Sequence, residues 1–227
     1  LMKTINLLKR LEYLPLFTEN NVAKIINKSP KYVRTLLYRL NKKKLIQRIE
    51  KGKYTVHNDP LILASYIVIP SYLSLWTALR YYNMTQQQPT SFFVVSKIKR
   101  KNIKKLNIIF MSTKHLFGYK KERYSDFDIF IADPEKTIID SLLFKIPLED
   151  IYIALENTGI NFDRLSEYAK KTKNKSLMKR LGYLLEKKKN NSYGLKALDN
   201  NYILLDYLGK KKGKKNKKWK LIINSEL

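Results

Sequence analysis

The apolar positions of the first 42 residues recur at helical spacing and predict three consecutive helices. The first helix covers residues 4–12, and Thr18 is the predicted N-cap of the second. Ser29 and Pro30 begin the third, because proline lacks the N–H that the first helical position leaves unsatisfied anyway. The third helix runs to about Lys42, with an inward stripe at i, i+3, i+4 and i+7 formed by Val33, Leu36, Leu37 and Leu40.

A β-hairpin is expected directly after the third helix. Residues 45–56 form two short alternating runs on either side of Gly52, a pattern typical of two strands and a tight turn. Asp59-Pro60 marks the expected boundary, so residues 1–58 are predicted to be a winged helix-turn-helix DNA-binding domain. In such a domain the third helix enters the major groove while its neighbours touch phosphates.

The outer face of the third helix and the hairpin tip supply the candidate DNA contacts. Arginine pairs with guanine edges and threonine contacts thymine methyl groups, so the predicted reading face consists of Lys31, Tyr32, Thr35 and Arg39. Nearer its margins, phosphate or sugar contacts are expected from Arg34 and Tyr38. The phosphate candidates are Lys28, Ser29, Lys51 and Lys53, with Gly52 letting the tip turn sharply. The alternative is a winged helix used only for protein contact, with an ordinary solvated surface.

The rest of the chain predicts a mixed domain over residues 59–209. We expect a helix at Ser71–Tyr82, and then strands at Ser91–Lys97, Leu106–Ser112 and Asp128–Ala132. Asp133, Pro134 and Glu135 begin a helix, and two or three more are expected within about 148–157, 161–172 and 175–188. The fold class is therefore α+β, an N-terminal winged helix-turn-helix followed by a mixed α/β C-terminal domain. Residues 210–227 are a Lys-rich basic tail, expected to be a flexible arm to which Trp219–Ile223 could add a last strand.

Charge narrows the list of partners. The 46 Lys and Arg residues outnumber 19 Asp and Glu, which gives a formal net charge of +27. A folded chain this basic repels itself unless a polyanion neutralises it: DNA, RNA, an anionic membrane surface or an acidic protein. The alternative is compositional drift towards lysine in an AT-rich genome.

Two further basic segments are candidates for nucleic-acid contact. The tail would add salt-sensitive, sequence-independent affinity, or it is only a solubilising terminus. A second cluster could make accessory contacts with nucleic acid or a partner, or it is a plain solvated loop; it consists of Lys97, Lys99, Arg100, Lys101, Lys104 and Lys105.

The composition argues against several chemistries. Cysteine is absent and the histidines are His57 and His115, so thiolate sites and histidine relays are not expected. Asp126 and Asp128 fit a strand entrance and Glu135 a helix N-terminus better than a Mg²⁺ site. We expect no enzyme activity, metal or cofactor. The aromatic residues Trp76, Tyr81, Tyr82, Phe92 and Phe93 are interpreted as core rather than a base-stacking platform. No apolar run reaches the roughly 18 residues of a membrane span, and the expected location is the cytoplasm.

An ordered set of motifs over residues 5–190 resembles the AbiEi-like antitoxins, regulators tied to abortive infection and phage defence. The set comprises KGKY at Lys51–Tyr54, YLSLWTALRYY at Tyr72–Tyr82, FFVVS at Phe92–Ser96 with the basic stretch Lys97–Lys101, FGY at Phe117–Tyr119, and DPEKTIID at Asp133–Asp140. The Lys-rich terminus and the extreme charge depart from the family pattern.

The resemblance implies a transcriptional repressor of its own toxin–antitoxin operon, with the winged helix bound to operator repeats in double-stranded DNA. It implies that the C-terminal domain counters a nucleotidyltransferase-like toxin without a stable complex (type IV) and can assist operator binding. Three alternatives stay open: a stand-alone defence-linked or chromatin-like DNA-binding protein, a nucleic-acid enzyme using Asp126, Asp128 and Glu135, and an RNA-binding module.

Overall fold

The structure, a computed structural model, describes residues 4–227 and is α+β. Within that range the chain forms nine α-helices and ten strands in several sheets. Residues 1–3 of the predicted first domain lie outside the described range. The chain divides into two compact units. The first holds residues up to Leu73 with Val94–Thr113 and Lys121–Phe130, and the second holds Ser74–Phe93, Lys114–Lys120 and Ile131–Leu227.

Three helices begin the first unit and confirm the predicted ones: α1 (Thr4–Leu11), α2 (Glu19–Ile26) and α3 (Pro30–Lys42). The start of α2 shows how local chemistry sets these boundaries. The Thr18 hydroxyl accepts the Asn21 N–H, and the Asn21 side chain accepts the Thr18 N–H in return at 2.8 Å. These reciprocal bonds satisfy two donors that the first turn of α2 would otherwise leave free.

The predicted hairpin forms from β1 (Gln47–Glu50) and β2 (Lys53–Thr55), which pair antiparallel. Phe17, just before α2, exchanges backbone hydrogen bonds with Tyr54 at 2.9 Å in both directions, which attaches β2 to the helical part. One apolar core joins helices and hairpin, and its buried members are Leu7, Leu11, Phe17, Val22, Val33, Leu37, Leu40, Ile46 and Tyr54.

A five-stranded sheet follows α4 (Pro60–Ile67), and most of its residues belong to the first unit. Its strands in chain order are β3 (Ser71–Leu73), β4 (Phe92–Ser96), β5 (Ile108–Ser112), β6 (Tyr119–Tyr124) and β7 (Phe127–Ala132). In space the order is β5-β4-β3-β7-β6. The strands expected near β4, β5 and β7 are confirmed, and β6 is an addition.

The predicted helix at Ser71–Tyr82 is wrong in its first part. Residues Ser71–Leu73 are fully buried strand and pair antiparallel with β4, with Tyr72 opposite Val95. Leu75 then takes a positive φ of 55°, which no helix accommodates, and α5 begins only at Trp76 and ends at Tyr81. Short aromatic and apolar runs are ambiguous between helix and strand, and here strand pairing decides.

Helices dominate the second unit. Besides α5 they are α6 (Pro134–Leu143), α7 (Leu148–Ala154), α8 (Phe162–Thr172) and α9 (Lys175–Lys189). The predicted cap of α6 is confirmed, since the Asp133 carboxylate accepts the Lys136 N–H at 2.7 Å and Pro134 stands at the first position. Helix α6 packs against α5, α7, α8 and α9, and eight of its residues are buried.

The end of the chain is ordered rather than a flexible arm. Strands β8 (Ile203–Leu204), β9 (Lys214–Asn216) and β10 (Leu221–Ile223) form a sheet in the order β8-β10-β9. Trp219 is 1% exposed, and its ring lies so close to Gly182 of α9 that no Cβ would fit there. The expectation of a flexible arm is therefore wrong for residues 214–223, whereas the suggested last strand is present at Leu221–Ile223.

Candidate nucleic-acid interface

Helix α3 has two chemically opposite faces. Val33, Leu37 and Leu40 are buried and Leu36 is half-buried, so the predicted inward stripe packs on the core. Every polar residue predicted on the outer face is exposed: Lys31, Tyr32, Arg34, Thr35, Tyr38 and Arg39. Lys28 and Ser29 at the turn before the helix are exposed as well, and the Ser29 hydroxyl accepts the Tyr32 N–H at 3.4 Å. The outer face is thus exposed on a single helix, which is the size of element that a DNA major groove admits.

Two concavities flank this face. A groove of about 720 Å³ lies between α3, the start of α2 and the hairpin, and it is lined by Thr18, Glu19, Asn20, Arg34, Tyr38, Asn41, Arg48, Lys51, Gly52 and Tyr54. A smaller cleft of about 330 Å³ is lined by Ser29, Lys31, Tyr32, Thr35, Leu36 and Arg39. Nearly all of the predicted contact residues line one or the other.

Arg34 is oriented by a carboxylate. Its guanidinium donates through Nε and an Nη to Glu19 Oε2 at 3.3 Å, while its side chain stays 70% exposed. Exposed pairs of this kind contribute little to stability, about 0.2–1 kcal/mol. Its consequence is positional: Glu19 limits the directions in which Arg34 can reach from the margin of the α3 face.

The two lysines predicted to contact phosphate at the hairpin tip differ in their surroundings. Gly52 adopts φ +78° with open space around it, which explains glycine at the sharpest point of the turn. Lys51 is exposed. The Lys53 ammonium instead pairs with the Glu50 carboxylate at 3.1 Å and donates to the Ile67 carbonyl.

Glu50 is the point where the hairpin meets the second basic cluster. Its carboxylate also binds the Arg100 guanidinium, which stacks over the Phe110 ring with its central carbon 5.1 Å from the ring centroid. Lys105 donates to the Arg48 carbonyl of β1. Arg100 and Lys105 therefore brace the hairpin.

The other members of the second basic cluster face outward. Exposure is high at Lys97, Lys99, Lys101 and Lys104. Arg100 differs from these four lysines in being half-buried, and burial lowers the pKa of its guanidinium. The cluster is thus part support and part cationic surface.

Of the three carboxylates weighed as a Mg²⁺ site, Asp126 is exposed, whereas Asp128 and Glu135 bind cations or a backbone donor. Asp128 pairs with Lys121 at 3.0 Å and with Arg123 at 3.7 Å, and the hydrogen bond from Lys121 is the main cause of the lowered pKa of Asp128. Glu135 accepts from Arg164 at 2.8 Å and from the Asn161 N–H at 2.6 Å. Among residues 4–227, no group of three or more His, Asp or Glu is placed to hold a metal ion.

The DPEKTIID motif builds a buried polar network at the start of α6. Lys136 and Asp140 are both fully buried and bind each other, and Asp140 also accepts from the Ser74 hydroxyl at 2.9 Å. The Tyr168 hydroxyl donates to Asp133 at 2.9 Å, and burial is the first cause of the raised pKa of Tyr168, about 12. A buried charge is costly unless it is paired, so loss of either Lys136 or Asp140 would leave the other uncompensated in the interior.

Tyr72, the first aromatic residue of the YLSLWTALRYY motif, is fully buried. The five aromatic residues interpreted from the sequence as core are half-buried: Trp76, Tyr81, Tyr82, Phe92 and Phe93. Trp76 and Phe93 line a small cleft of about 200 Å³ with the polar loop 87–91. The sequence interpretation of plain core residues is therefore too simple.

Sequence reasoning missed the brace around Glu50 and the buried Lys136–Asp140 pair. The i, i+4 spacing of lysine and aspartate on α6 signals the second one, but nothing local links Glu50 with Arg100. In the part of the chain that the structure describes, no helix is long and apolar enough to cross a bilayer. No family model matches this sequence, and the search among curated proteins finds no match either.

Proposed function

We propose that this chain is a sequence-specific DNA-binding repressor that reads duplex DNA with a winged helix-turn-helix made of α1–α3 and the β1–β2 hairpin. The observation that carries the proposal is the division of α3. Its apolar stripe is sealed in the core, and its cationic outer face is exposed over the whole helix length. A major groove admits one helix, and base edges require polar and cationic side chains on it.

In this mechanism the two concavities have different roles. The smaller cleft on α3 reads base edges through its lining residues, among them Arg39 and Lys31. The larger groove receives the sugar-phosphate backbone between α3 and the hairpin, where Lys51 and Arg48 supply positive charge. Phosphate contacts fix the register and the base contacts select the sequence, so polymerase is excluded from one site rather than from DNA in general.

The net charge of +27 fits this mechanism, because each neutralised phosphate releases counterions. The exposed lysines of the β9–β10 region supply further contacts that carry no sequence information. They are Lys210, Lys211, Lys212, Lys214, Lys215, Lys217 and Lys218. Their placement on and beside an ordered sheet supports a defined cationic surface.

We further propose that the repressor is the antitoxin of a type IV toxin–antitoxin pair linked to phage defence and acts on its own operon. The support is the resemblance of its ordered motifs to the AbiEi-like antitoxins. One of these motifs, DPEKTIID, has a structural role here, since it caps α6 and supplies the Lys136–Asp140 pair. Growth arrest by a neighbouring nucleotidyltransferase gene should be relieved when this chain is co-expressed. If arrest persists, a stand-alone regulator remains and the DNA-binding proposal stands.

The DNA-binding proposal is tested by a footprint on the DNA upstream of the chain's own gene, at about 50 mM and 200 mM salt. We expect protected repeats at low salt and weaker protection at high salt, with a scrambled duplex left unprotected. A structured RNA at equal salt is the competitor. Preference for that RNA, or absence of protection at both salt concentrations, would overturn the proposal.

A further inference from the structure

A cleft of about 380 Å³ in the second unit shares no lining residue with the α3 face and combines an apolar floor with a cationic rim. It opens where the end of α8, the start of α9 and the segment 194–198 come together. Met178 and Leu195 form buried parts of the floor, and Leu198 extends it although this leucine is 49% exposed. An exposed leucine beside two buried apolar residues provides a surface that an apolar group can cover.

The rim is formed by four lysines, which are Lys170, Lys173, Lys175 and Lys196. No acidic residue lines the cleft in the part of the chain that the structure describes. Lys175 also pairs at 3.6 Å with Asp199, which is not among the lining residues. The backbone at Gly194, with φ +71°, lets the Lys170 ammonium approach so closely that an added Cβ would lie 3.3 Å from its Nζ.

We propose that this cleft binds a small amphipathic anion, a molecule with an apolar chain or ring and one terminal carboxylate or phosphate. The apolar part covers Met178, Leu195 and Leu198, and the anionic group lies among the lysine ammonium groups. The volume fits small ligands, whose sites span roughly 300–1,000 Å³ and are mostly apolar with few polar groups. Four lysines and no acidic residue line the cleft, and Lys175 alone among them pairs with Asp199 outside the lining, so the lining favours negative charge. The apolar floor favours an anion with an apolar part over a free inorganic anion.

The test is calorimetric titration of the full chain with decanoate, below its micelle-forming concentration and without DNA. Decanol has the same chain without the charge, acetate has the charge without the chain, and decyl phosphate replaces the carboxylate. We expect decanoate and decyl phosphate to bind at least tenfold more tightly than decanol or acetate. Equal binding of decanol would overturn the proposal, because it would show an apolar contact without selection for charge.

Matched variants locate the site. Leu198→Ser should weaken decanoate binding at least tenfold, whereas Leu208→Ser, at a leucine that is 63% exposed outside the cleft, should leave it unchanged. Lys173→Gln should weaken it several-fold, and Lys212→Gln should not. Leu198, Leu208 and Lys212 are exposed and Lys173 lies at the cleft rim, so the folds are expected to survive, and circular dichroism checks this. Equal losses within either pair would mean a diffuse surface effect and would sink the assignment.

Discussion

The guanidinium of Arg100 binds the carboxylate of Glu50, so a segment far along the chain holds the β1–β2 hairpin in place. Glu50 pairs with Lys53 of the same hairpin as well. One carboxylate thus binds two cations, of which Lys53 is also held by the Ile67 carbonyl and Arg100 also lies over the Phe110 ring. This arrangement makes Glu50 a positioning residue for the hairpin.

Replacing Glu50 with Gln should weaken operator binding several-fold. On charge alone the opposite is expected, because removing a carboxylate near DNA lowers repulsion. The ion pairs of Glu50 contribute about 1 kcal/mol. Their loss should loosen the hairpin tip, while the Phe17–Tyr54 backbone bonds still hold strand β2. Amide hydrogen exchange over residues 47–55 should accelerate, and titration of the operator duplex gives the affinity. Glu12→Gln, at an exposed carboxylate outside the hairpin, is the charge control. Tighter binding by Glu50→Gln with unchanged exchange would contradict the bracing role.

Changes on the α3 face should alter sequence preference. Arg39→Ala or Lys31→Ala should each cost about 1–3 kcal/mol on the operator duplex and much less on a scrambled duplex, since each removes a hydrogen bond to a base edge. Lys9→Ala, on α1, removes the same charge outside the proposed reading face and should weaken binding to both duplexes slightly and equally. Competition titrations with both duplexes measure the ratio. An unchanged ratio for Arg39→Ala would remove that residue from the reading face.

The helices of the proposed winged helix-turn-helix could be predicted from the sequence because their signals are local. Thr18, Ser29 and Pro30 each mark a helix start through hydrogen bonds or geometry within three residues of themselves. The exposed face of α3 follows from the same periodicity that buries Val33 and Leu37. The candidate contacts on this helix therefore follow from pattern alone.

Elements that depend on distant partners could not be predicted in this way. Strand β6 has the sequence YKKERY and lies at the edge of the sheet with much of its surface in solvent. Because its residues are mostly charged, the sequence shows no apolar alternation that would predict a strand. Strand β3 depends on pairing with β4. The burial of Trp219 depends on Gly182, which lies 37 residues earlier in the chain and leaves space for the indole. In each case the deciding partner lies beyond the window that periodicity samples.

The lysines around β9 should contribute affinity without specificity. Because Trp219 is buried, truncation after Gly209 would expose core as well as remove charge, so substitution is the cleaner test. Changing Lys211, Lys212 and Lys214 to Gln should weaken binding to operator and scrambled duplexes to the same degree. The slope of log affinity against log salt should flatten by about 0.9 for each phosphate that is no longer neutralised. A weakening confined to the operator would contradict a sequence-independent role.

Gly182→Ala should destabilise the second unit although alanine normally favours a helix over glycine by about 1 kcal/mol. The added Cβ would overlap the Trp219 ring, so the indole or the helix backbone must shift. Trp219→Ala should itself cost about 3–5 kcal/mol through the cavity that it leaves. Urea denaturation measures both. In the Trp219→Ala background Gly182→Ala should become neutral or stabilising, and an undiminished destabilisation there would show that the indole is not the obstacle.

Acidification should release the C-terminal sheet from α9 through Glu186. Its carboxylate accepts hydrogen bonds from Lys218 and from the Trp219 indole N–H, and these two bonds lower its pKa below the ordinary value of 4.5. A carboxyl whose pKa is lower in the folded than in the unfolded state stabilises the fold above the unfolded value. That stabilisation disappears as the pH falls from about 4.5 through the lower folded value.

Indole fluorescence of Trp219 should therefore shift to the red in this window, with Trp76→Phe as the background that isolates the signal. Glu186→Gln keeps a hydrogen-bond acceptor and removes the titration. The indole fluorescence of this variant should therefore change less between pH 6 and pH 3, which lie roughly one to two units above and below the ordinary glutamate pKa. The same red shift in Glu186→Gln would assign the transition to other carboxylates, such as Asp199, whose pKa is lowered chiefly by the hydrogen bond from Lys179.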